Sequence, residues 1–136
     1  MNPEYVMFIG LNPSTADEIL DDPTVRRCIG YAKLWGYGAL CMTNLFAFRA
    51  TNPRIMKSQK NPIGTMNDKF LIECDREASI VIAAWGVHGA FLARDEHVCK
   101  LLDNLYCLGI TKEGYPKHPL YLSRDARPIA YVRATS

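Results

Sequence analysis

Residues 5–17, Tyr5-Val6-Met7-Phe8-Ile9-Gly10-Leu11-Asn12-Pro13-Ser14-Thr15-Ala16-Asp17, decide how this chain is read. An unbroken apolar run stops at Gly10 and gives way to short polar residues around a proline. A continuous apolar run suits a strand buried on both faces, and a glycine turn ends it, so the stretch predicts a parallel strand delivering a loop. In open α/β sheets ligands bind outside the carboxyl ends of the strands, which puts this loop where chemistry would occur. Pro13 biases the residue before it toward an extended backbone. The carboxamide of Asn12 is then held in one direction, offering one acceptor oxygen and a paired donor. The plainer account is a turn whose Asn, Ser and Thr cap the next element.

Working outward, Asp22 followed by Pro23 predicts a helix start, with an N-cap carboxylate and proline at the first helical position. Val25, Cys28, Ile29, Ala32 and Trp35 recur at helical spacing, and Gly36 closes the helix. Ala39 to Asn44 reads as a second strand, again ending on a polar residue. Residues 45–64 are long for a structureless connection, which marks them as functional or mobile. Thr65-Met66-Asn67 is expected to cap a helix running through Phe70, Leu71 and Cys74. Ser79 to Ala84 gives a third strand ending at Trp85-Gly86. Residues 88–94 and 96–104 read as helix with a break, and Leu105 to Leu108 as a fourth strand. His118 lies in a loop over 111–122, and Ile129 to Val132 read as an edge strand or a packed tail.

This alternation predicts one α/β domain over residues 1–136, a three-layer α/β/α fold around a mainly parallel four-stranded sheet. Parallel strands bring Asn12, Asn44, Trp85-Gly86 and His118 to one edge, which makes a cleft of them.

Composition narrows the class. A chain of 136 residues is long enough to bury its own core, and 49% hydrophobic with 22% charged residues is ordinary for a globular protein. No apolar run approaches a membrane span, so no membrane role is expected. Five cysteines, with no C-x-x-C pair, predict neither a disulfide framework nor a zinc site and fit a cytoplasmic location. Net charge is +2, but Arg26, Arg27, Lys33, Arg49, Arg54, Lys57 and Lys60 fall between Pro23 and Asn67 with no acidic residue among them. Such an uncompensated stretch points to a phosphate-bearing partner, a nucleic acid or a nucleotide, as well as to the commoner solvated face.

No G-x-x-x-x-G-K-[ST] phosphate loop is present. Ser14 and His118 leave a small-molecule hydrolase open, though without a G-x-S-x-G elbow. His88, His97 and His118 stand apart, so neither metal nor cofactor is expected. What remains is a water-orienting amide, a second amide able to read an edge, and a histidine. Those groups suit hydrolysis of a bond with a good leaving group. The candidate catalytic residues are Asn12 and His118. The candidate ligand-binding residues are Gly10, Leu11, Pro13, Ser14, Asn44, Trp85, Gly86, Pro119, Arg26, Arg27 and Arg49.

The GLNPS loop resembles the Gly-x-Asn-Pro motif of mismatch-specific and single-strand-selective uracil-DNA glycosylases. Thr43-Asn44, Ile82-Ala83-Ala84-Trp85-Gly86 and His118-Pro119-Leu120 resemble three further motifs of that superfamily, in order. More closely, the blocks GLNPSTAD, NLFAFRAT and HPLYL identify the chain as a member of the uncharacterised bacterial and phage family called domain of unknown function 1643. The glycosylase resemblance implies a uracil-DNA-glycosylase-like fold and metal-free N-glycosidic hydrolysis. It also implies that Asn12 positions water, Asn44 reads a pyrimidine edge, and His118 stabilises charge on the departing base. Leu120-Tyr121 departs from that superfamily's fourth motif, and Pro23-Thr24-Val25 stands where it carries a base-stacking aromatic. A non-catalytic nucleotide- or nucleic-acid-binding module is the alternative.

Overall fold

A computed structural model describes residues 4–14 and 22–132. Thr15, Ala16 and Asp17 of the sequence reading lie outside the described residues.

The opening run forms β1 (Tyr5–Gly10), and it becomes an interior strand of the sheet. It pairs in parallel with β2 (Ala39–Asn44) on one side and β3 (Ile80–Ala83) on the other. Beyond β3 lies β4 (Leu105–Cys107), also parallel, and then β5 (Ile129–Ala130), which is antiparallel to β4. The strand order is β2-β1-β3-β4-β5. The sheet therefore has five strands where four were expected. Ile129 and Ala130 align with Cys107 and Tyr106, whose backbone would otherwise be an open edge.

Alternation along β1 separates the two faces. Val6 and Phe8, with Ile82 and Ala84, pack against Cys28, Tyr31 and Ala32 of α1 (Pro23–Leu34). Met7 and Ile9, with Val81 and Ala83, face the other way, toward Leu71 of α3 (Asn67–Glu77) and Val98 of α4 (Arg94–Leu101). That face also buries Met56 of the short α2 (Pro53–Lys57). Both faces of β1 are covered, so Val6, Met7, Phe8 and Ile9 are all fully buried. Burial of each such side chain contributes about 1.5–3 kcal/mol.

Local chemistry explains the helix ends. The Asp22 carboxylate accepts from the N–H groups of Thr24 (2.8 Å) and Val25 (3.4 Å), and Pro23 takes the first helical position, as the sequence predicts. Gly36 adopts φ +86°, the left-handed turn that glycine allows after a helix. The expected cap of α3 is absent: Met66 occupies that position and makes no side-chain cap bond. The break in the helical region after β3 is real. A 3-10 segment, Val87–Ala93, ends in the left-handed residues Leu92 and Ala93 before α4 begins.

The Trp85-Gly86-Val87-His88-Gly89 stretch is organised by packing. Trp85 is 2% exposed and meets Tyr131 edge-on at 6.0 Å. A Cβ on Gly89 would lie 2.1 Å from the Trp85 ring atom Cδ1. Gly86 sits at φ 74°, ψ −166°, a region essentially reserved for glycine. Gly89→Ala is therefore expected to destabilise the protein by about 3 kcal/mol, the upper end for overpacking a close-packed site. Urea denaturation measures it, and a variant as stable as the parent would show that the indole has room to move.

Candidate functional site

The carboxyl edge of the sheet is built by backbone bonds that continue past the strands. Gly10 and Asn44 are in register at the ends of β1 and β2. The chain after Asn44 then runs beside the loop after Gly10: Leu45 donates to Gly10, Phe46 to Leu11 and Ala50 to Pro13, at 2.9, 2.9 and 3.0 Å. The NLFAFRA segment is thus an extension of β2 along the GLNP loop. Its far side is closed by Ala47 and Phe48 donating to Ile63 and Pro62.

Asn12 locks these two segments together. Its Nδ2 donates to the carbonyls of Ala50 (2.8 Å), Phe48 (3.2 Å) and Pro13 (3.2 Å). All three partners are acceptors, so the orientation of the amide is unambiguous. Among the described residues the Asn12 Oδ1 has no hydrogen-bond donor, and it is the acceptor that remains for a ligand or a water. Gly10 serves Asn44: a Cβ on Gly10 would stand 3.0 Å from the Asn44 Oδ1, so the bare backbone lets that side chain lie across the strand end.

His118 arrives by another route. Beyond β4 the chain forms a hairpin in which Thr111 donates to Tyr115 and Ile110 bridges Pro116. Lys117 then donates back to Gly109, and Gly86 donates to Pro116 at 3.0 Å, which brings His118 to the end of β3. Its Nδ1 accepts the N–H of Leu120 at 3.2 Å, capping the single turn Pro119–Tyr121. Burial lowers the His118 pKa below the ordinary histidine value of 6.5, against an opposing pull from the carboxylate of Asp22. The ring is neutral at pH 7 with Nδ1 already an acceptor, so Nε2 carries the hydrogen. Asp22 also receives the Ser14 hydroxyl, at 3.4 Å. Among the described residues the Ser14 hydroxyl meets the Asp22 carboxylate and not the His118 ring.

The turn under His118 is fastened to α1. Arg27 Nη1 donates to the carbonyls of Leu122 (2.6 Å) and Pro119 (3.4 Å), Tyr31 Oη to Ser123 (2.6 Å), and Trp35 Nε1 to Ala126 (3.0 Å). Pro119, the first residue of that turn, is buried.

Asn12, Asn44, Gly86, Ser14 and His118 thus gather at one edge, with Gly10, Leu11 and Pro13 as the backbone that shapes it. Trp85 does not join them, because its ring is in the core. Arg49 is exposed on the segment whose carbonyls hold Asn12, while Arg26 and Arg27 line a separate cleft against the 119–125 turn. Among the described residues no three His, Cys, Asp or Glu side chains gather as metal ligands, and no helix is long and apolar enough to cross a membrane.

Three residues at this edge escape the sequence reading. Asn67 Nδ2 donates to the carbonyls of Asn44 (3.0 Å) and Leu45 (2.9 Å). Arg94, 2% exposed, donates through Nε to Leu45 (2.7 Å) and pairs through Nη1 with Asp68. Asp68 in turn meets His97 Nε2 at 2.7 Å. Burial pushes the Asp68 carboxyl up, but the bonds from His97 and Arg94 outweigh it and hold the pKa below the ordinary value. Nothing in the local sequence separates Arg94 from a solvated arginine, and Asn67 reads as part of a cap.

No curated protein and no solved structure matches the chain. Residues 1–120 match one family along the whole stretch that builds this edge, from the first strand to the His118 turn, and the chain belongs to that family, described as protein of unknown function (DUF1643).

Proposed function

We propose that the protein binds or acts on a nucleobase, in nucleic acid or in a nucleotide, at the edge holding Asn12 and His118, with metal-free N-glycosidic hydrolysis as the reaction. The observation that carries this reading is the Asn12 amide. Its Nδ2 is fixed to backbone carbonyls, which leaves Oδ1 as an oriented acceptor just beyond the end of β1. Such an oxygen aligns a water by accepting one of its hydrogens.

In the proposed step the water oxygen bonds to the anomeric carbon as the carbon–nitrogen bond breaks. The electron pair leaves with the base, and the water's proton ends on it. Negative charge develops on the base before that proton arrives, and the Nε2–H of neutral His118 is a donor suited to it. Neither group is a strong base, which fits a reaction driven by stabilising the leaving group. The resemblance of the GLNPS, Thr43-Asn44 and His118-Pro119 segments to uracil-DNA glycosylase motifs supports the same assignment, with Asn44 reading the base.

The binding-module reading rests on one specific observation: the Asn12 amide has a full structural role in joining two loops. The hydrolase reading through Ser14 needs the hydroxyl to turn toward His118 from the Asp22 carboxylate, which it meets at 3.4 Å. The deciding measurement is free base released at neutral pH from uracil- and mismatch-containing oligonucleotides and from free nucleotides. Release supports hydrolysis. Binding without release favours the module, and neither binding nor release sinks the nucleobase reading.

A further inference from the structure

A cleft of about 680 Å³ opens between the outer flank of α1 and the turn over residues 119–125, apart from the Asn12 edge. Three arginines, Arg26, Arg27 and Arg124, stand on its walls against one carboxylate, Asp125. Asp125 is engaged by the hydroxyl of Ser123, and among the described residues neither Arg26 nor Arg124 is held in an ion pair. Between the arginines the floor is apolar, formed by Leu34 and Leu120, each about two-fifths exposed. Unpaired guanidiniums around an apolar floor match a ligand that alternates phosphates with sugar and base faces.

A second observation comes from Gly30. It lies in the interior of a twelve-residue helix, exposed, on the cleft wall. Glycine there weakens a helix relative to alanine. A Cβ at this position would meet nothing within 4 Å, so the protein's own packing does not require its absence. Bare backbone on a cleft wall accommodates a group that approaches closely.

We propose that this cleft holds the phosphodiester backbone of a single-stranded polynucleotide, with Arg26 and Arg124 facing its phosphates and Leu34 and Leu120 its sugars. The inference rests on the nucleobase reading of the neighbouring edge and adds the path of the strand. The turn that forms one wall of the cleft carries His118 at its other end, so a chain lying in the cleft delivers its next nucleotide toward that histidine.

The test is fluorescence anisotropy with two labelled single strands, one of ordinary sequence and one made entirely of abasic sites. The full chain should bind both, more weakly as salt rises. Combining Arg26→Gln with Arg124→Gln should lower both affinities roughly tenfold or more at low salt. It should also take about 1.4 from the slope of log affinity against log salt, for two lost phosphate contacts on a single strand. Lys33→Gln, on the same helix but outside the cleft, should change affinity little. Gly30→Ala should raise Tm by a few degrees yet weaken both complexes, opposite signs that a purely structural glycine would not produce. The proposal is overturned if the double variant binds like the parent, if the abasic strand is not bound, or if a nucleoside monophosphate competes as well as the oligonucleotide. Binding of a free nucleoside, which has no phosphate, reports on the Asn12 edge alone. If nucleoside binding persists while the abasic strand fails, the strand path is wrong and the nucleobase reading stands.

Discussion

Base release by the His118→Asn variant is expected to fall roughly a hundred- to a thousand-fold, about 2.7–4 kcal/mol at the transition state. Asparagine is the informative replacement. Its side-chain oxygen can accept the Leu120 N–H that Nδ1 of His118 now accepts, so the turn keeps its cap, while the Nε2–H donor is lost. Ligand affinity and Tm should stay near the parent values. Asn12→Ala should abolish release as well, but with a fall in Tm, because the carbonyls of Phe48 and Ala50 lose their donor. The pH dependence follows from the lowered pKa of His118. The neutral donor persists below the ordinary value of 6.5, so release should hold its rate as pH drops through that value and decline only further down. The same shift makes the ring's contribution to stability full above 6.5 and lost as pH falls through the folded value. A rate that already halves at 6.5 or above, or an Asn variant with full activity, would remove His118 from the chemistry.

Arg94→Met should cost about 3 kcal/mol of folding stability, more than a hundredfold in the ratio of folded to unfolded chain. Methionine fills much of the volume, so the loss reflects the polar network. The Leu45 carbonyl loses its bond to Nε, and Asp68 loses a guanidinium that helped hold it ionised. Arg94→Lys should recover little, because one ammonium cannot reach two partners as a planar fork does. Urea denaturation with a fixed m-value reads the effect. Because Asn67 still holds the Asn44 and Leu45 carbonyls, the edge should keep its shape in the surviving folded molecules. A change under 1 kcal/mol would mean that water replaces the arginine at no cost. Asp68 adds an acid limb: its depressed pKa contributes stability above the ordinary carboxyl value, lost as pH falls through the folded one.

The framework of the fold was legible because it is written in short-range signals. An apolar run ending in glycine, a capping aspartate before proline, and apolar residues at helical spacing each fix one element without reference to the rest. The positions of Asn12, Asn44 and His118 along the chain followed from those elements. What the sequence hides is the use of backbone carbonyls as partners. The amide of Asn12 reaches Phe48 and Ala50, some 36 and 38 residues away, and that pairing depends on how residues 45–50 turn after β2. Carbonyls occur at every position, so no residue type marks the ones that will be used. Trp85 shows the converse difficulty. It ends a strand beside the ligand edge, yet its ring faces inward because Gly89 makes room for it there.

Arg27 belongs to two structures at once. Its Nη1 pins the turn that carries His118, while the residue also lines the basic cleft. A phosphate lying in that cleft draws on the same positive charge that the carbonyls of Pro119 and Leu122 share. If the cleft holds a strand as proposed, its occupancy and the poise of His118 are linked variables, and linkage is reciprocal. By whatever factor a bound strand changes the affinity for a base at His118, that base changes the affinity for the strand by the same factor.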